Sequence, residues 1–298
     1  MKSVPCNTCG RSSFIPIFEK SSPLGEVFQI VKCHNCKLVQ VNPQPSLEEV
    51  IRYYSDSYFT QRTDRGYDNY YSEKVKSEIS RVFQLNLSDL GFFEWEKTYQ
   101  QNLSQEGADS TLALSSLDIG CAAGYFVDFM KNRGYNAEGI EVADGPVTFA
   151  RNKLGLTIHQ ANFLDWDLDG SKKYDVVTLW ATIEHLHMPK ETLNKIKLHL
   201  KPGGTLIIST CRYGILAKWK KQQWRYLNVP EHLYYYSLSG LLNLLKTLEY
   251  KKPVSLSYGS GMTSKVNAGI GFKISKWIMD RVVKWTNQGD MMAIRVIM

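Results

Sequence analysis

The sequence predicts an α/β protein built on a doubly wound, mostly parallel sheet, preceded by a small cysteine-bearing segment and a helical, tyrosine-rich stretch. Three observations carry the prediction. From residue 112 onward, short apolar runs alternate with segments of helical periodicity. One run passes through Leu117 into Asp118-Ile119-Gly120-Cys121-Ala122-Ala123-Gly124, then directly into a helix carrying Phe126, Phe129 and Met130. Ahead of both stand two Cys-x-x-Cys pairs with 23 residues between them.

At 298 residues, 43% hydrophobic and 22% charged, the chain suits one main globular domain with a smaller attachment. Met1-Lys2-Ser3-Val4-Pro5-Cys6 enters the first cysteine pair without a signal-peptide core, and no apolar run reaches spanning length. The expected location is cytoplasmic and reducing, which argues against a disulfide framework. The net charge of +7 is regional. Residues 1–37 carry five bases and two acids, residues 211–225 five and none, and residues 251–298 eight and two. Those segments point to a partner bearing phosphates or to an anionic surface.

In chain order, Cys6/Cys9 and Cys33/Cys36 come first, with Gly10 easing the first turn. Two thiolates two residues apart clamp a metal from one turn, and two such turns close a tetrahedron. The expectation over 1–45 is a ribbon holding a structural Zn²⁺, with a redox pair or unmetallated thiols as the alternatives. Phe28–Val31 and Leu38–Val41 read as strands flanking the second turn, and His34 as a surface residue. Residues 46–111 read as a helical arm. Ser46-Leu47-Glu48-Glu49 is a capping box, and tyrosines cluster between Tyr53 and Tyr71. Aromatic packing between helices is their plainer reading, and covering a ligand the sharper one. Gln105–Ser110 reads as a flexible join to a domain over 112–298.

Within that domain the first strand covers about 112–119. A turn of small residues then brings backbone N–H groups and a helix N-terminus to a ligand. Tyr135–Glu141 is the second strand, and its closing carboxylate lies 23 residues after Asp118, where an acid binds ribose hydroxyls. Asp144 caps a helix ending at Gly155, Leu156–His159 is the third strand, and Asn162 and Phe163 occupy the turn after it. Tyr174–Trp180 is the fourth, running into Ala181-Thr182-Ile183-Glu184-His185-Leu186-His187-Met188-Pro189. A Lys201-Pro202-Gly203-Gly204 turn leads into the fifth.

These residues resemble the class I, Rossmann-like S-adenosylmethionine (SAM) methyltransferases, whose glycine motif is approximately (D/E)-x-G-x-G-x-G. Residues 118–124 match it except that Ala122 replaces the middle glycine, which leaves the turn unstrained only if its φ is negative. The Glu-His segment after the fourth strand and the Lys-Pro-Gly-Gly turn are further points of likeness. The resemblance implies a seven-stranded sheet ending in an antiparallel strand at 291–297. It also implies a cofactor site at Asp118, Gly120, Ala122, Gly124 and Glu141, with Asn162 and Phe163 toward adenine and Trp180 at the crevice. Cys36-Lys37-Leu38-Val39-Gln40 followed by Arg52-Tyr53-Tyr54-Ser55 is similar to bacterial sugar methyltransferases that place a zinc-binding segment ahead of the SAM domain.

Residues 211–236 interrupt the alternation, interleaving Arg212, Lys218, Lys220, Lys221 and Arg225 with Tyr213, Trp219, Trp224 and Tyr226. By resemblance this insertion lies over the acceptor, bases taking phosphates and aromatics a ring face. Residues 271–286 gather Ile274, Trp277, Ile278, Val282 and Trp285 on one face, expected to pack on the domain, with a peripheral membrane contact as the alternative. An oxygen or carbon acceptor needs a proton removed, and His185 and His232 are the candidate bases. No third ligand stands beside His185 and His187 for a metal. The leading expectation is methylation of a small phosphorylated acceptor, a nucleotide- or lipid-linked sugar. The alternatives are an RNA methyltransferase and a non-catalytic SAM-binding or zinc-ribbon interaction protein.

Overall fold

The computed structural model describes residues 1–54, 56–61, 69–105, 113–166, 172–261 and 269–298. The anticipated join at 105–110 lies, after Gln105, outside the described residues. Three strands open the chain, β1 (Phe14–Ser21), β2 (Val27–Cys33) and β3 (Val39–Val41), paired antiparallel in order. The first was not foreseen, because its exposed side chains carry little apolar alternation. Helices α1 (Leu47–Ile51), α2 (Asp56–Thr60), α3 (Glu73–Asp89) and α4 (Phe92–Gln105) follow. The capping box forms as written, Ser46 accepting from the Glu49 N–H and Glu49 from that of Ser46.

The main sheet is made by β4 (Ser115–Ile119), β5 (Asn136–Glu141), β6 (Thr157–Gln160), β7 (Tyr174–Trp180), β8 (Leu200–Cys211) and two later strands. Between them run α5 (Tyr125–Asn132), α6 (Asp144–Leu154), α7 (Pro189–His199) and α8 (Ile215–Lys220). The chain ends through β9 (Tyr234–Tyr235), α9 (Leu238–Thr247), β10 (Lys251–Tyr258), α10 (Ile270–Thr286) and β11 (Met291–Ile297). The seven strands lie in the order β10-β11-β8-β7-β4-β5-β6, and only β11 runs against the rest. The strand order reverses between β4 and β7, so the crevice outside their carboxyl ends is where such a sheet binds its ligand.

Central strands read as continuous apolar runs because both faces are covered, and β7 is buried along its length up to Trp180. Asp175, fully buried at its start, accepts from Tyr99 Oη (2.9 Å), Ser115 N (2.7 Å), Ser115 Oγ (2.8 Å) and Lys201 Nζ (2.8 Å). One carboxylate thus ties α4, β4 and the Lys-Pro-Gly-Gly segment together, which satisfies an acid that burial alone would penalise. That segment is not a separate turn. It bulges within β8, whose register against β7 slips between Tyr174 and Val176. Asp144 is the first helical residue of α6 and not its cap, which is Ala143.

Two features depart from expectation. β9, a fragment of the insertion, pairs with β3 and completes a four-stranded sheet of order β1-β2-β3-β9. The cysteine ribbon and the insertion therefore share one core, in which Trp224 packs with Phe28, Ile30, Val39, Val41 and Tyr235. Second, α10 does not bury its apolar face. Val283 is its one buried residue, while Ile270, Ile274, Trp277, Ile278, Val282 and Trp285 are exposed.

Candidate active site

The glycine turn is built as the spacing requires. Gly120 has φ of +69°, and a Cβ there would sit 2.5 Å from Thr182 Cγ2, so only glycine lets the turn after β4 meet the loop after β7. Gly124, at φ of +76°, caps α5 and lies against Leu156. Ala122 stands at φ of +46°. The condition for an unstrained turn is not met, and a left-handed alanine costs about 1–2 kcal/mol relative to a right-handed one.

Two acids face this turn. Asp118 is buried on β4 and accepts from Thr178 Oγ1 at 2.6 Å. Burial, opposed by Thr178 and aided by the nearby Glu141 charge, pushes its carboxyl up to about 8. Among the described residues no cationic side chain pairs with it, so the site holds an acid that a cationic ligand would ionise. Glu141 closes β5 and accepts from Ala122 N (2.9 Å), Val142 N (2.7 Å) and Ala143 N (2.9 Å). Burial raises its carboxyl while those N–H groups oppose the shift. Glu141 thus clamps the turn to the start of α6. A buried acid, a side-chain-free approach and a second carboxylate at the end of β5 fit a cofactor that combines a positive centre with ribose hydroxyls.

The remaining predicted cofactor residues lie differently. Asn162 spends its side chain locally, donating to Asp165 Oδ2 at 2.8 Å and accepting from Leu164 N at 3.3 Å. Phe163 is buried in the main core beneath the Lys195 ammonium, 5.1 Å from the ring centre. Trp180 packs between Phe83 of α3 and Phe126 of α5, centroids 4.9 and 5.2 Å away. Tyr70 and Tyr71 reach the same end of the sheet, Tyr70 stacking on Tyr125 and Tyr71 on Phe149, while residues 62–68 of the tyrosine run lie outside the described residues.

The loop after β7 and the insertion bring the two histidines together, with ring centroids 4.6 Å apart and planes near perpendicular. His232 Nδ1 lies 2.8 Å from the Tyr226 carbonyl oxygen, which can only accept. Nδ1 therefore carries a proton, and in the singly protonated ring Nε2 would be the lone-pair nitrogen. His185 Nδ1 is 2.8 Å from Tyr54 Oη. Glu184 joins them, the ligand atoms of all three lying within 4.8 Å of one another. The third partner that the local sequence lacked thus comes from the insertion, while His187 turns away to the Pro45 carbonyl at 3.0 Å. Of the insertion's side chains, Trp219 is 75% exposed, but Trp224 is core, its Nε1 donating to Asp290 Oδ1 at 3.0 Å. Arg212 also turns inward, donating to Ser257 Oγ and the Asn287 carbonyl, which removes it from the phosphate-binding set. A separate cleft of about 360 Å³ between the ribbon and the insertion is lined by Lys20, Gln222, Trp224 and Arg225, and by none of the predicted site residues.

The four cysteine sulfurs converge within 4.8 Å of one another, Cys6 to Cys36 at 3.3 Å and Cys9 to Cys33 at 3.6 Å. Bonds of about 2.3 Å to one zinc would set the sulfurs about 3.8 Å apart, so the set needs little adjustment to close on it. The two turns share a conformation. Gly10 and Lys37, each four residues past its first cysteine, have φ of +71° and +65° and return an N–H to that cysteine's carbonyl. Burial raises the Cys6 and Cys36 thiols. At Cys9 burial is outweighed by donors from Arg11 and Asn35, which bring it to about 6.

Sequence reasoning missed Thr178, Thr182 and Tyr54 as partners in these sites. Thr178 was the most visible, a hydroxyl inside the apolar strand Val176-Val177-Thr178-Leu179.

A family model described as a methyltransferase domain matches residues 67–252. Over 118 residues the chain is 32% identical to the ubiquinone biosynthesis O-methyltransferase of Haemophilus ducreyi, covering 37% of this chain and 50% of that protein. The Vibrio parahaemolyticus protein of the same name is 29% identical over 119 residues, covering 38% and 51%. The chain thus spans about half the length of the curated relatives it matches. Among solved structures, a SAM-dependent methyltransferase from Archaeoglobus fulgidus aligns with a TM-score of 0.48 at 16% identity, covering 68% of this chain and 94% of that one.

Two outcomes test the turn. Ala122→Gly should raise the unfolding free energy by about 1 kcal/mol in denaturant titrations, by relieving the left-handed alanine. Asp118, raised from 3.8 to about 8 in the folded chain, stabilises the fold fully only below its unfolded value and loses that contribution as pH rises to about 8. The unfolding midpoint should therefore fall between those pH values relative to Asp118→Asn, which lacks the titration.

Proposed function

Because the chain belongs to the methyltransferase-domain family, we propose that it transfers the methyl group of SAM to an oxygen or carbon of a small acceptor, a nucleotide- or lipid-linked sugar. The observation that carries this reading is the histidine pair. His232 is oriented by its Nδ1 contact to the Tyr226 carbonyl and stands against His185, beside the loop that touches the glycine turn. An imidazole oriented that way suits removal of a hydroxyl or activated carbon proton near neutral pH. His185, oriented by Tyr54, positions the acceptor or shares that proton.

The cofactor supplies a methyl group made electrophilic by its sulfonium. Asp118, Gly120, Ala122 and Gly124 would hold its methionine half and Glu141 its ribose. The residues' own work is to align the acceptor and keep water out, and the aromatic arm around Tyr70 and Tyr71 suits the second task. The phosphate-bearing acceptor rests on charge, since with Arg212 turned inward residues 211–225 still offer Lys218, Lys220, Lys221 and Arg225 and no acid, the three lysines on or beside α8. The O-methyltransferase names of the curated relatives agree with an oxygen acceptor. The cysteine ribbon would hold a structural zinc, with four thiolates leaving no position open for chemistry. One observation favours the non-catalytic alternative, the left-handed Ala122 in the cofactor turn. Binding of SAM without turnover would decide for it.

The deciding experiment incubates the protein with methyl-labelled SAM and fractionated metabolites, then identifies the labelled molecule. Label in the sugar or lipid-linked fraction is expected, and label confined to RNA would replace this reading. His232→Ala should lower kcat about 10²–10⁴-fold with little change in SAM affinity by calorimetry. Metal analysis should find about one zinc per chain, and Cys33→Ser should lose it together with thermal stability.

A further inference from the structure

We propose that α10, together with α8, forms a docking surface for the face of an anionic lipid bilayer. The case begins with which side of α10 meets the protein. Phe272, Lys276, Asp280 and Val283 lie at spacings of three and four, and they are the less exposed residues of the helix. The opposite stripe, Ile270, Ile274, Trp277, Ile278 and Trp285, is turned outward, with Trp285 87% exposed. A helix that packs on a globular core does the reverse. Here the inward edge holds an ion pair, Lys276 to Asp280 at 2.5 Å, and Ser260 Oγ donates to Asp280 at 2.5 Å.

The same feature recurs beside it. On α8, Ile215 and Trp219 are one turn apart and both exposed, flanked by Lys218, Lys220 and Lys221. The two helices meet across residues 260–261. A Cβ at Gly261 would lie 3.6 Å from Lys220 Nζ, while Ser260 holds α10 through Asp280. β8 delivers the chain to α8 at Cys211, and Cys211 pairs with Met291 at the start of β11, just after α10. Both helices thus attach at the end of the sheet that carries the crevice.

Charge selects the occupant. Of the four bases of α10, Lys276 pairs with Asp280 and Lys284 with Asp89, while Lys273 and Arg281 are exposed, and Lys218, Lys220, Lys221 and Arg225 add four more. The Arg281 guanidinium lies 4.1 Å over the Trp277 ring, which sets a cation within the apolar stripe at the depth of a phosphate headgroup. A second copy would bring like charge against like. A nucleic acid would leave Ile270, Ile274 and Ile278 with nothing to bury against. Tryptophan beside lysine and arginine is the composition of a helix lying in the membrane interface. No described helix is long and apolar enough to cross a membrane, so α10, about 25 Å long, would lie flat.

The test is co-sedimentation of the full chain with vesicles of equal parts phosphatidylglycerol and phosphatidylcholine, against phosphatidylcholine alone. Binding to the anionic vesicles, weakened by salt, is expected. Trp277→Ala with Trp285→Ala should weaken it about tenfold or more, and Lys273→Glu should weaken it on anionic vesicles. Unchanged thermal melts of these surface variants would show that the fold is intact. Equal recovery with neutral vesicles, or no effect of the tryptophan variants, would overturn the proposal. So would a concentration-dependent dimer that the tryptophan variants dissolve, or retention by an RNA homopolymer in place of vesicles.

Discussion

The carbonyl of Glu184 accepts two hydrogen bonds, from Leu233 N at 2.8 Å and Tyr234 N at 3.2 Å, and the placement of everything around the crevice depends on it. Leu233 in turn gives its own carbonyl to Val41 N at 2.9 Å. Two links therefore run from the loop after β7, through the insertion, to the last strand of the cysteine ribbon. His185 and His232 sit on either side of the first link. Their 4.6 Å separation is a property of that backbone junction more than of any contact between the rings. Such a junction is rigid because each buried backbone group has its partner, and loosening one leaves another unsatisfied.

The cofactor end of the crevice stores tension. Asp118 is buried with one hydroxyl partner, Glu141 is enclosed by three N–H groups, and Ala122 is held left-handed by the same Glu141 that accepts its N–H. The burial of the two acids and the left-handed alanine are each unfavourable alone and are maintained by the surrounding packing and hydrogen bonds. A ligand carrying positive charge into this region relieves the first of them directly, because it favours the ionised form of Asp118.

The sheet was legible in the sequence to the extent that burial makes strands monotonous. β7 reads off as Tyr174–Trp180 because both of its faces are covered, and the turn after β4 because only small residues allow that approach. The convergence of the two cysteine turns was legible because their spacing is the one that lets four sulfurs meet at a point. What stayed hidden depends on long-range pairing. β9 is two tyrosines inside a polar insertion, and it is a strand only because β3 lies beside it. Trp219 and Trp224 look alike in sequence, yet one is exposed and the other is core, since only Asp290 and the ribbon decide between them. For α10 the periodicity was legible and the direction was not, because a hydrophobic stripe does not say which side of it the protein occupies.

The pairing of β3 with β9 has a consequence for the order in which the chain can assemble. Val39 must wait for Tyr235, about two hundred residues further on, before its outer edge is covered. During synthesis the hairpin of β1 and β2 emerges first with an open strand flank, a risk for mispairing between nascent chains. The four thiols of the two Cys-x-x-Cys turns lie in that same early stretch. A metal captured there would lock the hairpin's shape long before its partner strand exists, so the ribbon would act as a template on which the late insertion docks.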